Sequence, residues 1–387
     1  MSNTNDQRKP LTETAFLNEF MRLKRGSVTK RHFLQATGLG LATAVFAREL
    51  ALGSSANAAT ADLGKKMSLA TWPNYHDPAN FEAFKKKTGV AVAMNVFGSN
   101  EEMLAKLQAG GSGWDVFVPT NYTISTYAKL GLIEPLDLSK IPNYDRAQFD
   151  KRFIAEGTVD GKTYAIPKNW GTTGFVMDSN KIKKPMLTWK DFWDTTMKEA
   201  SGRVVVMDYQ LCAIGNALKY FGYSFNSVDP KELAQAEALL IKSKPHLFAI
   251  NSDYQPPMRA GDAWLSMCWT GDGTQLNKDL PNMKYVIAKE GGEIWCDFLA
   301  IPKESKNKAA AYAFINFLLD PANSAKEVNV HGYPSPDQRV TRLLPKAILE
   351  NPIVYPAKEF LTPLEFGAAA TLTSPLRAEV MARFKSA

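Results

Sequence analysis

The chain has 387 residues, of which 45% are hydrophobic, 11% aromatic and 22% charged. These values are typical of a soluble globular protein, and the length is sufficient for two domains with substantial cores. The formal net charge is +7, but residues 1–58 hold eight Lys and Arg against four Asp and Glu, so most of the excess lies at the start of the chain. The remainder carries no basic stripe with interleaved aromatic residues, which excludes nucleic-acid binding.

Residues 1–58 resemble a twin-arginine export signal. A basic start leads to Lys30 and Arg31, then to an apolar run at 36–47 and to small residues at 56–58 that suit a signal peptidase. Lys30 stands where such signals carry the first arginine, so both a twin-arginine-like and a Sec route stay open. The apolar run is too short to span a membrane. The alternative is a disordered basic tail on a cytosolic protein.

From about residue 65, strand and helix patterns alternate. Strand patterns at 67–71, 90–94 and 114–119 are each followed by the start of a helix, at Asp77-Pro78, at Ser99 or Asn100, and at residues 120–122. Alternation of this kind predicts an α/β fold with a largely parallel sheet. In such sheets ligands bind where loops leave the carboxyl ends of the strands.

An extended run at 164–173 is a candidate crossover to a second α/β region. In this second region, at 175–290, strands are predicted near 203–207, 264–269 and 285–287 and helices near 211–221 and 231–242. A strand at 298–301 and an amphipathic helix at 308–319 are predicted to follow. The tail from residue 343 is predicted to add further helices.

Two segments pair an indole with a carboxylate: 267–273, with Trp269 and Asp272, and 294–297, with Trp295 and Asp297. Each is interpreted as a strand end or the turn that leaves it. An aromatic face attracts an organic cation by about 0.5–2 kcal/mol, and a carboxylate accepts charge-assisted hydrogen bonds from it. Either segment alone fits a core tryptophan beside a turn aspartate. Together they favour a site for a small organic cation.

Cys212, Cys268 and Cys296 form no CxxC motif and have no metal-like spacing with the four histidines. No metal and no other cofactor is therefore expected. One disulfide and free buried thiols are equally compatible with the sequence.

Seven stretches occur in a characteristic order: Trp72-Pro73-Asn74-Tyr75, Phe117 to Tyr122, Ile166-Pro167 with Trp170-Gly171, Trp269 to Asp272, Lys289 to Gly292, Trp295 to Asp297 with Ala300 to Pro302, and Gly332-Tyr333-Pro334. Together they resemble the periplasmic spermidine/putrescine-binding proteins of ABC importers. The resemblance implies a two-lobed periplasmic binding protein fold of type II, in which two α/β lobes joined by crossing hinge strands close over the ligand. It implies lobe 1 at 59–170 and 295–340, lobe 2 at 171–294, and C-terminal helices at 341–387 that pack mainly on lobe 2.

The resemblance also implies a ligand cleft lined by Trp72, Tyr75, Thr120, Tyr122, Trp269, Asp272, Trp295, Asp297 and Tyr333. The three indoles would sandwich an aliphatic chain, Asp297 would bind one ammonium group, and Asp272 would bind, or help to bind, the other. Asn74 and Tyr209 are also expected to contact the ligand. Spermidine binders carry acids at these two positions and at that of Cys212. Because an unmatched buried ammonium is costly, a shorter diamine such as putrescine is favoured over spermidine.

The implied protein is a monomeric periplasmic receptor that delivers a small organic cation to an ABC permease in the inner membrane. A zwitterionic amino acid or opine is an alternative ligand, with Lys168 or Arg259 as partners for its carboxylate. The competing class is an exported enzyme that uses Asp272 and Asp297 as an acid pair. The sequence has no P-loop, dinucleotide-binding fingerprint or nucleophile elbow.

Overall fold

The computed structural model describes residues 62–387, and the predicted export signal at 1–58 lies outside them. Within the described residues, no helix is long and apolar enough to cross a membrane. Nor do His, Cys, Asp and Glu side chains in this part of the chain form a group of three or more that could hold a metal ion.

Strands form at each of the predicted β-rich runs. The strands of the described residues are β1 (Lys66–Thr71), β2 (Ala91–Val96), β3 (Val116–Phe117), β4 (Thr158–Val159), β5 (Lys162–Thr163), β6 (Ala165–Asp178), β7 (Val204–Val206), β8 (Leu247–Ile250), β9 (Leu265–Trp269), β10 (Met283–Val286), β11 (Gly292–Ala300) and β12 (Leu364–Phe366).

Helices alternate with these strands and continue into the tail. The α-helices of the same part are α1 (Pro78–Thr88), α2 (Asn100–Gln108), α3 (Asn121–Lys129), α4 (Lys151–Glu156), α5 (Trp189–Thr196), α6 (Gln210–Tyr220), α7 (Pro230–Ser243), α8 (Gln255–Ala260), α9 (Thr270–Asp279), α10 (Lys308–Leu318), α11 (Pro321–His331), α12 (Gln338–Thr341), α13 (Lys346–Leu349), α14 (Lys358–Leu361), α15 (Ala369–Thr373) and α16 (Pro375–Ser386). Short 3-10 helices form at Leu138–Lys140, Arg146–Gln148 and Lys244–His246.

The helix starts follow from the capping residues in the sequence. The Asp77 side chain accepts a hydrogen bond from the backbone N–H of Ala79, Pro78 occupies the first helical position, and Gly89 ends α1 in the left-handed conformation with φ of 79°. Thr120 precedes α3 in an extended conformation, but its hydroxyl makes no capping bond. That hydroxyl is therefore available for another partner.

One sheet contains most of the strands, in the order β2-β1-β3-β11-β6-β9-β7-β8, with β10 added to β6 and β12 to β11. The pairs β1–β2, β1–β3, β7–β9 and β7–β8 are parallel, whereas β11 and β6 pair antiparallel. Two large hydrophobic cores lie along the sheet. Strand β6 contributes Ala165 and Ile166 to the first core and Phe175 and Val176 to the second. The fold is therefore α/β with two lobes, as the resemblance implied.

The tail packs in two places. Leu372, Val380 and Phe384 belong to the second core, and β12 pairs in parallel with the start of β11. A separate small cluster joins α11 to α12 through Val328 and Val340.

The interpretation of residues 294–297 as a strand end was wrong. Trp295 and Asp297 lie inside β11, which is buried at every position from Gly292 to Ala300. The strand is long because β6 pairs with it along nearly its whole length. The register shifts between Asp297 and Phe298, which lie opposite Asn169 and Pro167, so Lys168 is an extra residue on β6, as in a β-bulge.

Candidate ligand-binding site

A cavity lies where the two cores meet, and the empty space in it, counted together with the open solvent at its mouth, is about 370 Å³. Eight of the predicted residues line it, together with two that were not predicted, Pro73 and Glu293. The full lining is Trp72, Pro73, Tyr75, Thr120, Tyr209, Trp269, Glu293, Trp295, Asp297 and Tyr333.

The lining residues follow the ends of several strands. Trp72 comes directly after β1, Thr120 follows β3, Tyr209 follows β7, and Trp269 is the last residue of β9. These strands are parallel within each lobe, so their carboxyl ends direct the following loops to the same edge of the sheet. Strand β11 crosses this edge and supplies the two acids.

Asp297 is the predicted acid that lines the cavity, and only 4% of its surface is exposed. Its Oδ2 accepts a hydrogen bond from the Tyr75 hydroxyl at 2.6 Å, and its Oδ1 accepts one from Thr120 Oγ1 at 2.7 Å. Burial raises the pKa of Asp297 to about 7, although these two hydrogen bonds oppose the shift. The positive charge of the nearby Lys168 also opposes the rise in the pKa of Asp297, but this lysine forms its ion pair with Glu327.

Glu293 is the second acid of the cavity and was missed. It is 1% exposed, and its Oε2 accepts hydrogen bonds from Thr173 Oγ1 at 2.6 Å and from Cys212 Sγ at 3.2 Å. Burial raises the pKa of Glu293 to about 7. The alternation of Glu293, Trp295 and Asp297 along one strand was the signal that could have found it, because residues two apart share a face.

Aromatic rings form the walls. The Trp72 and Trp269 rings meet edge-on with centroids 5.9 Å apart, and Trp295 meets Tyr333 in the same way at 5.3 Å. Trp72 is fixed by a hydrogen bond from its Nε1 to the carbonyl oxygen of Val118 at 3.0 Å. The walls therefore present indole and phenol surface to the two acids, as a cation site requires.

Trp295 needs a glycine beneath it. A β-carbon at Gly171 would lie 2.6 Å from the Trp295 ring, closer than real contacts allow. The Trp170-Gly171 stretch of the sequence therefore gives the indole its room.

Asp272 does not line the cavity, contrary to the expectation that it faces the ligand. Its two oxygens accept hydrogen bonds from the Tyr254 hydroxyl at 2.6 Å and from Gln255 Nε2 at 2.7 Å. The same Tyr254 hydroxyl accepts a hydrogen bond from the Trp269 N–H at 2.8 Å. Asp272 thus orients the tyrosine that holds the backbone of a wall residue. Burial raises its pKa to about 6.

Asn74 and Tyr122 also lie outside the cavity lining. Asn74 is exposed and has a positive φ of 54°, which is a turn conformation that asparagine tolerates better than most residues. The turn directs Trp72 and Tyr75 inward and Asn74 outward. Tyr122 is buried behind Tyr209, with ring centroids 6.4 Å apart.

An ionic cluster is buried next to the cavity. Glu327 Oε2 lies 2.9 Å from His76 Nδ1 and 3.2 Å from Lys168 Nζ, and these two groups hold the pKa of Glu327 well below its usual range despite its burial. Lys168 Nζ also lies over the Tyr75 ring, 4.3 Å from its centroid. The amine that was considered as a partner for a ligand carboxylate is therefore already paired.

Arg259, the other such candidate, does not line the cavity either. Its guanidinium donates to Asp279 Oδ2 at 2.7 Å and to Gln255 Oε1 at 2.9 Å. No lysine or arginine is among the residues of the cavity lining.

All three cysteines are buried free thiols, so the structure contains no disulfide between Cys212, Cys268 and Cys296. Burial raises the pKa of each thiol well above its ordinary value.

Comparison with known proteins identifies the family. Residues 79–354 match the model of the bacterial extracellular solute-binding proteins, which covers well over half of the chain. The chain belongs to this family of solute-binding proteins. Family members and relatives bind substrates for transport, so this solute-binding protein is not an enzyme.

Two curated relatives are each 33% identical to this solute-binding protein. One is the putrescine-binding periplasmic protein SpuD of Pseudomonas aeruginosa, whose match covers 81% of this chain and 89% of the relative. The other is the spermidine/putrescine-binding periplasmic protein of Escherichia coli, with 84% and 93% covered. The solved structure of the spermidine/putrescine ABC transporter substrate-binding protein PotD from Streptococcus pneumoniae is 30% identical, with a TM-score of 0.68 over 84% of this chain and 99% of that one.

Proposed function

We propose that this protein is the periplasmic receptor of an ABC importer for polyamines, with a preference for a diamine such as putrescine over spermidine. It captures the diamine between its lobes as a monomer and delivers it to the permease in the inner membrane. Asp297 binds one ammonium group, and the indoles of Trp72, Trp269 and Trp295 enclose the carbon chain. The relatives named for putrescine and spermidine binding support this class of ligand.

The observation that carries the proposal is a buried carboxylate without a cation of its own. Among residues 62–387, the Asp297 carboxylate receives hydrogen bonds only from the neutral hydroxyls of Tyr75 and Thr120, while the neighbouring lysine pairs with Glu327. A cationic ligand would supply the missing charge in a site walled by aromatic faces.

The preference for a diamine rests on the far end of the cavity. Tyr209 and Cys212 stand where the resemblance expects the acids of spermidine binders, and Asn74 points away from the cavity. A triamine carries three ammonium groups, and a lining with two acids would leave one of them buried without a partner, at a cost of several kcal/mol.

A zwitterionic amino acid or opine fits less well. Its carboxylate would have to lie against a lining that contains two acids and no basic side chain. Like charges in a buried site repel each other strongly, so this ligand class is not proposed.

The direct test begins with protein freed of copurified ligand by unfolding, dialysis and refolding. Thermal shifts and calorimetry with putrescine, cadaverine, spermidine and γ-aminobutyrate then rank the ligands. A ligand at 100 times its Kd should stabilise the protein by about 2.7 kcal/mol. The proposal expects putrescine to bind most tightly, and a protein that responds to none of the amines would contradict it. Mass spectrometry of the molecule released during unfolding gives an independent identification.

A further inference from the structure

We infer that Glu293 is the binding site for the second ammonium group of the ligand, so that β11 alone supplies both anionic ends of a site for dications. This inference rests on the proposed function, since it assigns the far end of the same cavity. Neither the sequence motifs nor the relatives' names assign a role to Glu293.

The geometry of β11 places the two acids on one face of the strand. Glu293, Trp295 and Asp297 alternate along β11, and all three line the cavity. At the usual rise of a strand, the α-carbons of the two acids are about 13 Å apart. One ammonium group cannot bridge that distance, so the two carboxylates suit two separate charges, with the Trp295 indole between them to cover a short carbon chain.

Glu293 has bonding capacity to spare. Its Oε2 is occupied by the Thr173 hydroxyl and the Cys212 thiol, whereas its Oε1 is buried and has no hydrogen-bond partner among the described residues. A buried acceptor without a partner costs about 1–3 kcal/mol, and an ammonium group of the ligand would satisfy it. Because no basic side chain lines the cavity, a ligand cation is the natural counter-charge.

The contact with Cys212 explains how the site can hold a dication without the helix acids of spermidine binders. The resemblance expects an acid at the position of Cys212, on α6. Here that position carries a thiol that donates to Glu293 Oε2 at 3.2 Å. The carboxylate is therefore supplied from β11 instead of α6, within hydrogen-bonding distance of the Cys212 thiol. One acid at each end matches a diamine.

The experiment compares Glu293→Gln with the unmodified protein against putrescine and against n-butylamine, which has the same carbon chain and one charge. Removing one partner of a buried charge pair should weaken putrescine binding by about 30-fold or more. Binding of n-butylamine should change by less than about threefold, because its single ammonium group occupies Asp297. Glu290→Gln, the same substitution three residues earlier and outside the cavity lining, is the matched control and should leave both affinities unchanged.

Two measurements separate failure of this inference from failure of the proposed function. A protein that binds putrescine with unchanged affinity after Glu293→Gln overturns the role of Glu293 but leaves the polyamine receptor intact. A protein that binds no amine before substitution overturns both. The unmodified protein alone gives a further test that does not depend on folding of the variant: putrescine should bind at least about 30-fold more tightly than n-butylamine, and equal affinities would overturn the inference.

A relocation variant sharpens the assignment. Adding Cys212→Glu to Glu293→Gln moves the carboxylate from β11 back to α6. Putrescine affinity should recover by about tenfold or more over Glu293→Gln alone. No recovery, in a variant that melts as a folded protein, would contradict the idea that the two positions supply the same charge.

Discussion

Two neighbouring buried carboxylates, Glu327 and Asp297, have opposite electrostatics. Glu327 is surrounded by His76 and Lys168, and its pKa lies well below the usual range. Asp297 is equally buried but is contacted by hydroxyls, and its pKa is raised to about 7. The two sites are linked by Tyr75, which donates to Asp297 and lies beneath the Lys168 amine.

Under the proposed function, this difference separates a structural acid, Glu327, from a binding acid, Asp297. Glu327 has its counter-charges in the chain and contributes to the fold, whereas Asp297 lacks one and is ready for a cation from solution. A buried ion pair with both partners present is stable, while a buried charge with one partner missing is expensive. Substitutions in the Glu327 cluster and in the Asp297 site should therefore have different effects.

The largest effect is expected on the structural side. Glu327→Gln leaves the Lys168 ammonium buried without its carboxylate, and the free energy of unfolding should fall by about 3–5 kcal/mol. Urea unfolding of the ligand-free protein measures this loss. The isosteric change Glu82→Gln, at an exposed acid of α1 outside the cluster, provides the control. A loss below 1 kcal/mol would mean that the cluster does not stabilise the fold.

The corresponding change in the cavity should affect binding instead of folding. Asp297→Asn should weaken putrescine binding by about 2–5 kcal/mol, because the ligand's ammonium loses its charged partner. The ligand-free variant should unfold at the same or higher urea concentration than the unmodified protein, since an uncompensated buried acid is removed. Calorimetry and urea unfolding on one preparation test both statements. A strongly destabilised variant with normal affinity would reverse the roles of the two acids.

The raised pKa of Asp297 makes binding sensitive to pH. An amine ligand stays protonated below pH 9, whereas a carboxyl group with a pKa of about 7 is mostly neutral at pH 5.5. Titration of Asp297 alone should therefore weaken putrescine binding by roughly 20- to 30-fold, or about 2 kcal/mol, between pH 7.5 and pH 5.5. Glu293, whose pKa is also about 7, should add to this fall if it binds the second ammonium group.

The raised pKa of Asp297 gives the stability of the ligand-free protein a pH dependence opposite to that of binding. Because the folded pKa of Asp297 is above the unfolded value, folding takes up a proton between about pH 4 and pH 7, and this carboxyl favours the folded state less as pH rises through that window.

Calorimetric titrations at several pH values, with Asp297→Asn as the control, measure the binding effect. A profile that is flat in both proteins would contradict the assignment of the anchor.

The smallest effect is expected at Tyr75. Tyr75→Phe removes a neutral hydrogen bond to Asp297 and keeps the ring under Lys168, so putrescine affinity should fall by only about 1 kcal/mol. Calorimetry beside Asp297→Asn gives the comparison directly. Equal losses in the two variants would count against a cationic ligand.

Most of the site could be predicted because its residues follow strands. The patterns that end in Trp72, Thr120 and Trp269 are local, and parallel strands bring such ends together without further information. The two-lobed fold followed from the resemblance, and the alternation of strands and helices supported it. The positions of helices α1 and α2 followed from their capping residues alone.

The errors arose where tertiary contacts decide. Asp272 lies in the first turn of α9, but its partners Tyr254 and Gln255 come from the start of another helix, and no local pattern predicts that they occupy its oxygens. Glu293 follows two glycines that are typical of a turn, yet pairing with β6 draws it into a buried strand. Asn74 has a left-handed conformation that a comparison of residue types does not reveal.

The register shift on β6 keeps the Lys168 amine from lying directly opposite the Asp297 carboxylate of β11. Lys168 is the one residue there with no counterpart on β11, and its amine reaches Glu327 while its neighbour Asn169 faces Asp297 across the ladder. Removing this extra residue would shift the alternation of β6 on one side of the bulge by one position. The side chains on that side would then exchange the two faces of the sheet. The bulge therefore sets which residue of β6 lies opposite Asp297, and that residue is the amide Asn169 and not the amine Lys168.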